Sequence, residues 1–276
     1  MFKNYTLNII PTLVLVVFFS APLLTFFVDF SWLYVILLLI NFIWFGLSSS
    51  LYYHRTLSHR AAELHPLIHL LFLLGGTISL SGSPIDWVVI HRYHHSNSDK
   101  ESDPHSPLHG RFWSYIGWII LRDKSLVKEL KKKYCSDLIE NKLIVFFDKR
   151  FMLIGPTLVY NILLFQICGW AGVIYGFLLP GLLSYNFHWM LIASFCHNSK
   201  FGYRRYNTLD KSFNVPWLSP FSFGESLHNN HHKFPFAFNL KSKPEEFDFS
   251  FFVVKILEKL KLAKNIATTD YKNSEK

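Results

Sequence analysis

Four long apolar runs constrain the fold of this 276-residue chain more than any other feature. A helix needs about 20 consecutive apolar residues to cross the roughly 30 Å hydrocarbon layer of a bilayer. Four runs are close to this length, at residues 7–28, 32–51, 151–168 and 170–195. Only 17% of the chain is charged, below the ~25% of a typical soluble domain. The sequence therefore predicts an all-α integral membrane protein with four transmembrane helices and a single domain over residues 1–276.

A fifth apolar stretch, residues 66–80, is too short to span a bilayer, and we interpret it as a short interfacial helix. Most Lys and Arg residues lie in the polar segments, whereas the turns between paired spans carry only Asp29. Because positive charge accumulates on the cytoplasmic side of membranes, we expect both termini there, together with a helical cap. This cap comprises residues 52–150 and 197–262, and the polar residues 264–276 are predicted to form a flexible tail.

The net charge of +9 does not indicate a nucleic-acid partner. A nucleic-acid-binding protein gathers its positive charge on a polar surface, whereas here the charge follows the predicted membrane topology. The three cysteines have no metal-site spacing, and their odd number does not suit a disulfide framework. We therefore expect contacts with membrane lipids and none with nucleic acid.

Histidines form three clusters outside the longest apolar runs, and two clusters share the pattern His-x-x-His-His. Residues three and four apart lie on one face of a helix, so each of these two clusters presents its imidazoles together. Eight neutral imidazoles suit two metal ions with about four ligands each; the alternative is a set of surface histidines without metal. The clusters comprise His54 and His59; His91, His94 and His95; and His228, His231 and His232.

The residue types narrow the metal chemistry. The chain lacks the His-Glu-x-x-His motif of many zinc hydrolases. An alkyl chain in a membrane offers neither an acidic proton nor a leaving group, so its reactions depend on metal or cofactor chemistry. A pair of redox-active irons held by histidine therefore explains the clusters better than a hydrolytic site does.

The order of the clusters resembles that of the membrane fatty acid desaturases of the stearoyl-coenzyme A type, including bacterial acyl desaturases. Flanking residues such as His54-Arg55, Asp103-Pro104-His105 and Gly224-Glu225 strengthen the resemblance, which extends over residues 48–262. It implies four transmembrane helices under a histidine-rich cytosolic cap that holds two Fe ions. It also implies a ninth ligand after the last span, which falls on His197. The family commonly has Asn four residues before this histidine, whereas this chain has Ala193.

The resemblance also suggests which residues surround the ligands. Asp99, Asp103 and Glu225 are candidates to orient ligand imidazoles, and the alternative for them is the role of solvated loop carboxylates. Asn198 is the candidate to replace the missing Asn. We expect His105 to support the cap and His188, inside the last span, to bond a neighbouring helix. The closed end of an apolar substrate tunnel is expected at Phe42, Trp44, Phe45 and Gly46.

As a function, the resemblance implies the O2-dependent introduction of a cis double bond into a fatty acyl chain. The acyl chain would be linked to coenzyme A, acyl carrier protein or a phospholipid. A separate ferredoxin or small cytochrome, with its reductase, would supply the electrons. Two alternatives stay open at this stage: a lipid hydroxylase with the same iron chemistry and, from a different class, a membrane metal transporter.

Overall fold

The computed structural model describes residues 5–271, without the side chain of Lys124, and these residues are mostly helical. Three of the described helices are long and apolar enough to cross a membrane: Ile9–Phe27, Trp32–Ser58 and Arg150–Phe195. The first consists of an α-helix, Ile9–Leu24, and a closing 3-10 turn, Thr25–Phe27. The predicted all-α architecture is therefore confirmed, with two predicted runs merged into one helix.

The third long helix folds back on itself at Gly169, between the predicted runs 151–168 and 170–195. Gly169 has a φ of 57° and a ψ of −152°, in the left-handed half of conformational space that favours glycine. Beyond this point Gly172 approaches Leu164 so closely that an added Cβ would lie 2.5 Å from the Leu164 carbonyl oxygen. The chain therefore reverses here, and the two runs form the arms of a hairpin.

The hairpin packs against the first two long helices and leaves an apolar surface outside. In the core, the Phe18 ring lies edge-on to Phe177 and Tyr185, with centroid distances of 5.5 and 5.4 Å. Many aliphatic side chains on the outside are exposed, among them Leu13, Val16, Leu33, Ile36, Leu158 and Ile162. A surface of this kind and size suits lipid rather than water. The protein is therefore a membrane protein.

The second long helix changes its geometry where it enters the cap. The α-helix Trp32–Leu47 continues as a wider π-helix, Ser48–Ser58, which carries His54. Two side chains reinforce the wide turns: Thr56 Oγ1 donates to the Leu51 carbonyl at 2.7 Å, and Ser58 Oγ donates to the Tyr53 carbonyl at 2.8 Å. Because a π-helix bonds residues five apart, His54 and the following His59 come to the same side.

Short helices build the cap. The apolar helix Pro66–Ile78 corresponds to the predicted interfacial stretch and is shorter than the three long helices. The cap helices are Pro84–Asn97, Lys124–Tyr134, Ser136–Ile139, Lys142–Phe147, His228–Lys233 and Phe249–Lys259. Shorter helical turns lie at Pro107–His109, Trp113–Gly117, Trp118–Ile120 and Pro216–Leu218. The whole hairpin consists of the helical segments Arg150–Val173, Ile174–Leu178, Leu179–Tyr185, Asn186–Met190 and Leu191–Phe195.

Two short antiparallel strand pairs supplement the helices. Thr6–Leu7 pairs with Leu121–Arg122, and Glu63–Leu64 pairs with Ala263–Lys264. The first pair attaches the segment before the first long helix to the cap. The second attaches the end of the chain to the segment after the first histidine cluster. The sequence pattern does not predict these pairs, because two-residue strands leave no alternation to detect.

Residues 264–271, the first part of the predicted flexible tail, pack against residues 61–64 and 238–239. The Ala267 N–H donates to the Ala61 carbonyl at 2.8 Å, and the Phe238 N–H donates to the Ala267 carbonyl at 2.7 Å. Tyr271 is buried, and its hydroxyl donates to the Asn239 carbonyl at 2.7 Å. Backbone pairing and one aromatic side chain thus hold a polar segment in place. The rest of that tail, residues 272–276, lies outside the described residues.

Candidate metal centre

Nine histidines converge into two adjacent groups, and they are the nine that the sequence and the resemblance named. Within each group, one nitrogen from every imidazole lies within 4.8 Å of the corresponding nitrogens of the others. We call the two sets the five-histidine group and the four-histidine group. The five-histidine group comprises His54, His59, His91, His95 and His231. The four-histidine group comprises His94, His197, His228 and His232.

The two copies of the His-x-x-His-His pattern divide their histidines between the two groups, and the first and last histidines of one copy enter a different group from those of the other copy. On the helix Pro84–Asn97, His91 and His95 enter the five-histidine group and His94 enters the other. On the helix His228–Lys233 the first and last histidines enter the four-histidine group, and His231 crosses to the five-histidine group. Residues i and i+4 therefore stay together, and residue i+3 points to the neighbouring site. Each helix contributes to both sites.

The nitrogens face one another in a way that suits a metal ion. The Nε2 atoms of His59 and His91 lie 2.8 Å apart, and those of His197 and His228 lie 3.1 Å apart. The Nε2 atoms of His94 and His232 are buried and have no hydrogen-bond partner among the described residues. Buried polar atoms without a partner are costly. A metal ion in each group would engage all these lone pairs, so the donor set fits a pair of metals that prefer imidazole.

Burial keeps most of these imidazoles neutral, which is the form that binds metal. Desolvation lowers the pKa of His232 to about 4, although the Asp210 carboxylate acts in the opposite direction. Burial at His197 also lowers the pKa, but the hydrogen bond that His197 donates to Asp99, together with the charge of that carboxylate, outweighs burial, and the pKa of His197 is raised. Desolvation, followed by neighbouring imidazoles, holds the pKa well below its usual value at His59, His91, His95, His228 and His231.

Carboxylates approach the Nδ1 atoms of four of the nine histidines. The three predicted carboxylates are among them: Asp103 accepts from Nδ1 of His94 at 3.0 Å, Asp99 accepts from Nδ1 of His197 at 3.0 Å, and Glu225 contacts Nδ1 of His54. The sequence reasoning missed Asp210, whose Oδ2 accepts from Nδ1 of His232 at 3.0 Å. Each contact places a proton on Nδ1 and leaves the Nε2 lone pair directed at the group.

The charge state of these carboxylates follows from the same contacts. Burial raises the pKa of Glu225, but the neighbouring His54 and Arg55 outweigh it and lower the pKa to about 2. At Asp103 and Asp210, burial likewise acts upward, and the adjacent histidines hold the pKa well below its usual range. The carboxylates are therefore anionic and act only as acceptors.

Comparison with known proteins agrees with this arrangement. The family model described as fatty acid desaturase matches residues 30–240. This chain belongs to the fatty acid desaturase family. It is 35% identical over 245 residues to an sn-1 stearoyl-lipid 9-desaturase of Anabaena variabilis, covering 88% of each chain. It is 33% identical over 238 residues to delta-9 acyl-lipid desaturase 1 of Arabidopsis thaliana, covering 86% of this chain and 76% of that relative. A palmitoyl-monogalactosyldiacylglycerol delta-7 desaturase of the same plant is 33% identical over 220 residues, covering 80% of this chain and 58% of that relative.

This desaturase has a largely apolar pocket of about 160 Å³ beside the histidine groups. Part of its wall is aromatic: Trp87 stacks on the ring of His91 at a centroid distance of 5.1 Å, and Trp189 lies 5.8 Å from Trp87. Another part is polar and contains Asn8, Asp86 and Arg122. Four histidines that line the pocket come from both histidine groups and are His54, His91, His94 and His228.

The four residues predicted to close a substrate tunnel do not line this pocket. Gly46 packs so tightly that an added Cβ would lie 2.1 Å from the ring of Phe223 and 2.8 Å from His188. Phe45 is fully buried, and Phe42 packs against Phe223 at a centroid distance of 5.4 Å. Trp44 donates from its Nε1 to the Leu71 carbonyl at 3.1 Å. In the structure these residues therefore pack helices together.

Three further polar predictions have different outcomes in this desaturase. The side chain of Asn198 bonds the turn that follows it, where its Oδ1 accepts from the Lys200 N–H at 3.0 Å. His188 bonds its own helix rather than a neighbouring one: its Nδ1 lies 3.2 Å from the Ser184 carbonyl. His105 lies 4.1 Å from the His94 ring, centroid to centroid, and lines the pocket. Ala193 also lines the pocket and leaves space where the family commonly has Asn.

Proposed function

We propose that this protein introduces a cis double bond into the acyl chain of a membrane lipid, using O2, two Fe ions and an external electron donor. The observation that carries the proposal is the meeting of two buried histidine groups with one apolar pocket. The relatives named as acyl-lipid 9-desaturases support a lipid-linked substrate and the ninth carbon as the site of reaction. All nine histidines are proposed ligands.

The proposed iron pair would supply the oxidising power that removes one hydrogen from each of two neighbouring methylene groups. O2 would be reduced to two waters by these two hydrogens together with two electrons from the donor and two protons. The protein positions the chain for this reaction. Trp87 stacks on His91, and Trp189 meets Trp87 edge to face. Such aromatic surfaces bind an alkyl chain and exclude water. The carboxylates of Asp99, Asp103 and Glu225 hold the imidazoles in orientation.

The proposed topology has four crossings, two of them in the hairpin at Gly169. Both termini, the cap of residues 52–150 and 197–262, and the histidine groups then lie on the cytoplasmic side. The placement of Lys and Arg supports this orientation. A separate ferredoxin or small cytochrome with its reductase would reach the cap from the cytoplasm.

Arg122 is the proposed contact for an anionic lipid head group. It lines the pocket, and its guanidinium forms no hydrogen bond or ion pair within the described part of the chain. The nearby Asp86 is already paired with Lys131 at 2.7 Å. Arg122 is half-buried. A cation of this kind, with no hydrogen bond or ion pair to the described residues, favours an anionic ligand such as a lipid phosphate.

We expect Arg122→Ala to raise the KM for a phosphatidyl lipid while leaving kcat nearly unchanged. A charged hydrogen bond contributes about 1.5–3 kcal/mol, which corresponds to roughly a 10–100-fold change in affinity. Steady-state rates with phosphatidylglycerol and with an uncharged galactolipid measure the effect. The exposed Arg111→Ala is the matched control and should change neither value. Equal losses with both lipids would remove Arg122 from the head-group site.

Expression in cells that lack their own desaturase tests the function. Lipid mass spectrometry should reveal a new monounsaturated chain with a cis bond at the ninth carbon. Iron-loaded protein that yields no unsaturated lipid would contradict the proposal. Oxygen-18 retained in the lipid product would instead demonstrate hydroxylation, and metal flux into proteoliposomes without O2 would demonstrate transport.

A further inference from the structure

A short loop, residues 208–212, reaches the four-histidine group from outside. Asp210 Oδ2 accepts from Nδ1 of His232 at 3.0 Å. The other oxygen of the same carboxylate closes the loop, because Oδ1 accepts from the Ser212 N–H at 2.8 Å and from the Thr208 hydroxyl at 2.9 Å. The loop therefore fixes the carboxylate, and the carboxylate in turn fixes one ligand.

The same loop supports a second ligand through its backbone. The Lys211 N–H donates to Asp99 Oδ2 at 2.6 Å, and this oxygen also accepts from Nδ1 of His197 at 3.0 Å. Two of the four ligands, His197 and His232, are thus oriented from one five-residue segment. They come from different parts of the chain, one after the last long helix and the other from the helix His228–Lys233.

The loop is itself anchored. The Arg204 guanidinium donates to the carbonyls of Asp210 at 2.7 Å and Thr208 at 2.9 Å. Asn229, which directly follows His228, donates to the Ser212 hydroxyl of the loop at 3.3 Å and to the carbonyl of Tyr206, which precedes the loop, at 3.0 Å. The ligand helix and the loop therefore hold each other in a fixed register.

The two histidine groups differ strongly in this respect. Within the described part of the chain, three of the four-histidine ligands bond a carboxylate: His94, His197 and His232. In the five-histidine group, His54 alone contacts a carboxylate of residues 5–271, and Nδ1 of His231 is buried with no hydrogen-bond partner among them. A carboxylate on the outer nitrogen fixes the tautomer and raises the basicity of the ligand, and its loss costs about 10–100-fold in metal affinity.

We propose that Asp210 is a positioning residue, and that its loop makes the four-histidine group the site that fills first with metal. The inference rests on the proposed two-metal centre. It concerns how the ligands are held, and it requires neither a substrate nor O2. The competing explanation is that Asp210 serves only the turn of residues 208–212. Asp123 plays such a turn role outside both histidine groups, accepting from the Ser125 N–H at 3.0 Å and the Ser125 hydroxyl at 2.6 Å.

The experiment is an optical titration of the purified full-length protein with Co²⁺, whose visible bands report each site separately. His231→Ala, which removes a ligand from the five-histidine group alone, assigns the bands. We expect the wild-type protein to bind its first equivalent at the four-histidine group. Asp210→Asn keeps an oxygen for the turn but removes the acceptor for His232, and should weaken the first binding step by about 10–100-fold. The second step should not change.

Further variants make the result decisive. Asp210→Glu, which restores a carboxylate, should recover part of the affinity, and Asp123→Asn should leave both steps unchanged. Asp99→Asn acts on His197 and should shift the same first step, which keeps the test valid if Asp210→Asn does not fold. Unchanged binding in Asp210→Asn, equal weakening of both steps, or the same loss in Asp123→Asn would overturn the proposal. Asymmetric binding in a protein that makes no unsaturated lipid would overturn the proposed function alone.

Discussion

Replacing His197 with alanine should abolish one of the two metal sites and most of the activity. His197 is buried, and its Nε2 lies 3.1 Å from that of His228. Its removal leaves three imidazoles in the four-histidine group, and the Asp99 carboxylate loses its imidazole donor and keeps the Lys211 N–H. Loss of an outer partner alone costs about 10–100-fold in metal affinity, so loss of the ligand should cost more. We expect bound iron to fall from two ions toward one, and lipid desaturation to fall by more than about 100-fold.

Iron analysis and lipid profiling of the same preparation measure both effects. His65→Ala is the matched control, because His65 is exposed and belongs to neither histidine group. It should retain the wild-type iron content and activity. A His197→Ala protein with two bound irons and full activity would remove His197 from the ligand set.

The nine histidines illustrate what the sequence and the resemblance can predict. The spacing i, i+3, i+4 identifies a shared helix face, and the resemblance adds His197. The division into two groups does not follow from spacing. On a regular α-helix His54 and His59 diverge, and they converge here because side-chain hydrogen bonds from Thr56 and Ser58 support a π-helix. This π-helical conformation depends on the packing around the histidines, and the local sequence pattern does not predict it.

Other residues escaped prediction because their partners are distant in sequence. Asp210 lies in a polar loop that has no periodicity, and only the fold brings it to His232. The tail of residues 264–271 has the composition of a flexible end, yet its backbone pairs with residues about 200 positions earlier, as in Lys264 opposite Glu63. Gly46 matched an expected tunnel position, but its role is to admit the ring of Phe223. Amino-acid composition therefore predicts whether a segment is polar or apolar, but it does not predict which distant residues the segment contacts in the fold.

Each of the two His-x-x-His-His helices supplies histidines to both groups, and this shared placement couples the two sites. His94 and His95 are adjacent in the chain, yet they enter different groups, and the same holds for His231 and His232. Each pair joins the two sites through a single peptide unit. A displacement of either helix therefore disturbs both groups at once. The rigidity of the centre therefore depends on the contacts that hold these helices in position. The buried Arg55 contributes to these contacts.

Arg55 is the second residue whose replacement should have a large effect, this time on stability. It directly follows the ligand His54 and is only 1% exposed. Its guanidinium donates to Glu225 at 3.0 Å, to Asp248 at 2.8 Å and to the Phe238 carbonyl at 2.7 Å. Glu225 also contacts His54. One side chain thus joins the first histidine cluster, the segment before the third cluster and the start of the helix Phe249–Lys259.

We expect Arg55→Ala to destabilise the protein by about 3–5 kcal/mol, because removal of one partner leaves buried carboxylates uncompensated. Thermal unfolding in detergent, followed by tryptophan fluorescence, measures the change. Arg60→Ala is the matched control in the same cluster: its side chain is 65% exposed and pairs with Asp137, and exposed pairs contribute less than about 1 kcal/mol. Arg55→Lys should not rescue, since an ammonium lacks the planar fork that bonds two carboxylates.

A double variant identifies the cause of the loss. If unpaired charge is responsible, adding Asp248→Asn to Arg55→Ala should recover part of the stability, because it removes one of the two buried charges that Arg55 neutralises. If Arg55 acts only by filling space, the second substitution should add to the damage. Equal melting temperatures for Arg55→Ala and Arg60→Ala would show that the buried network does not stabilise the cap. Retention of both metals in Arg55→Ala would show that Glu225 orients His54 without help from the guanidinium.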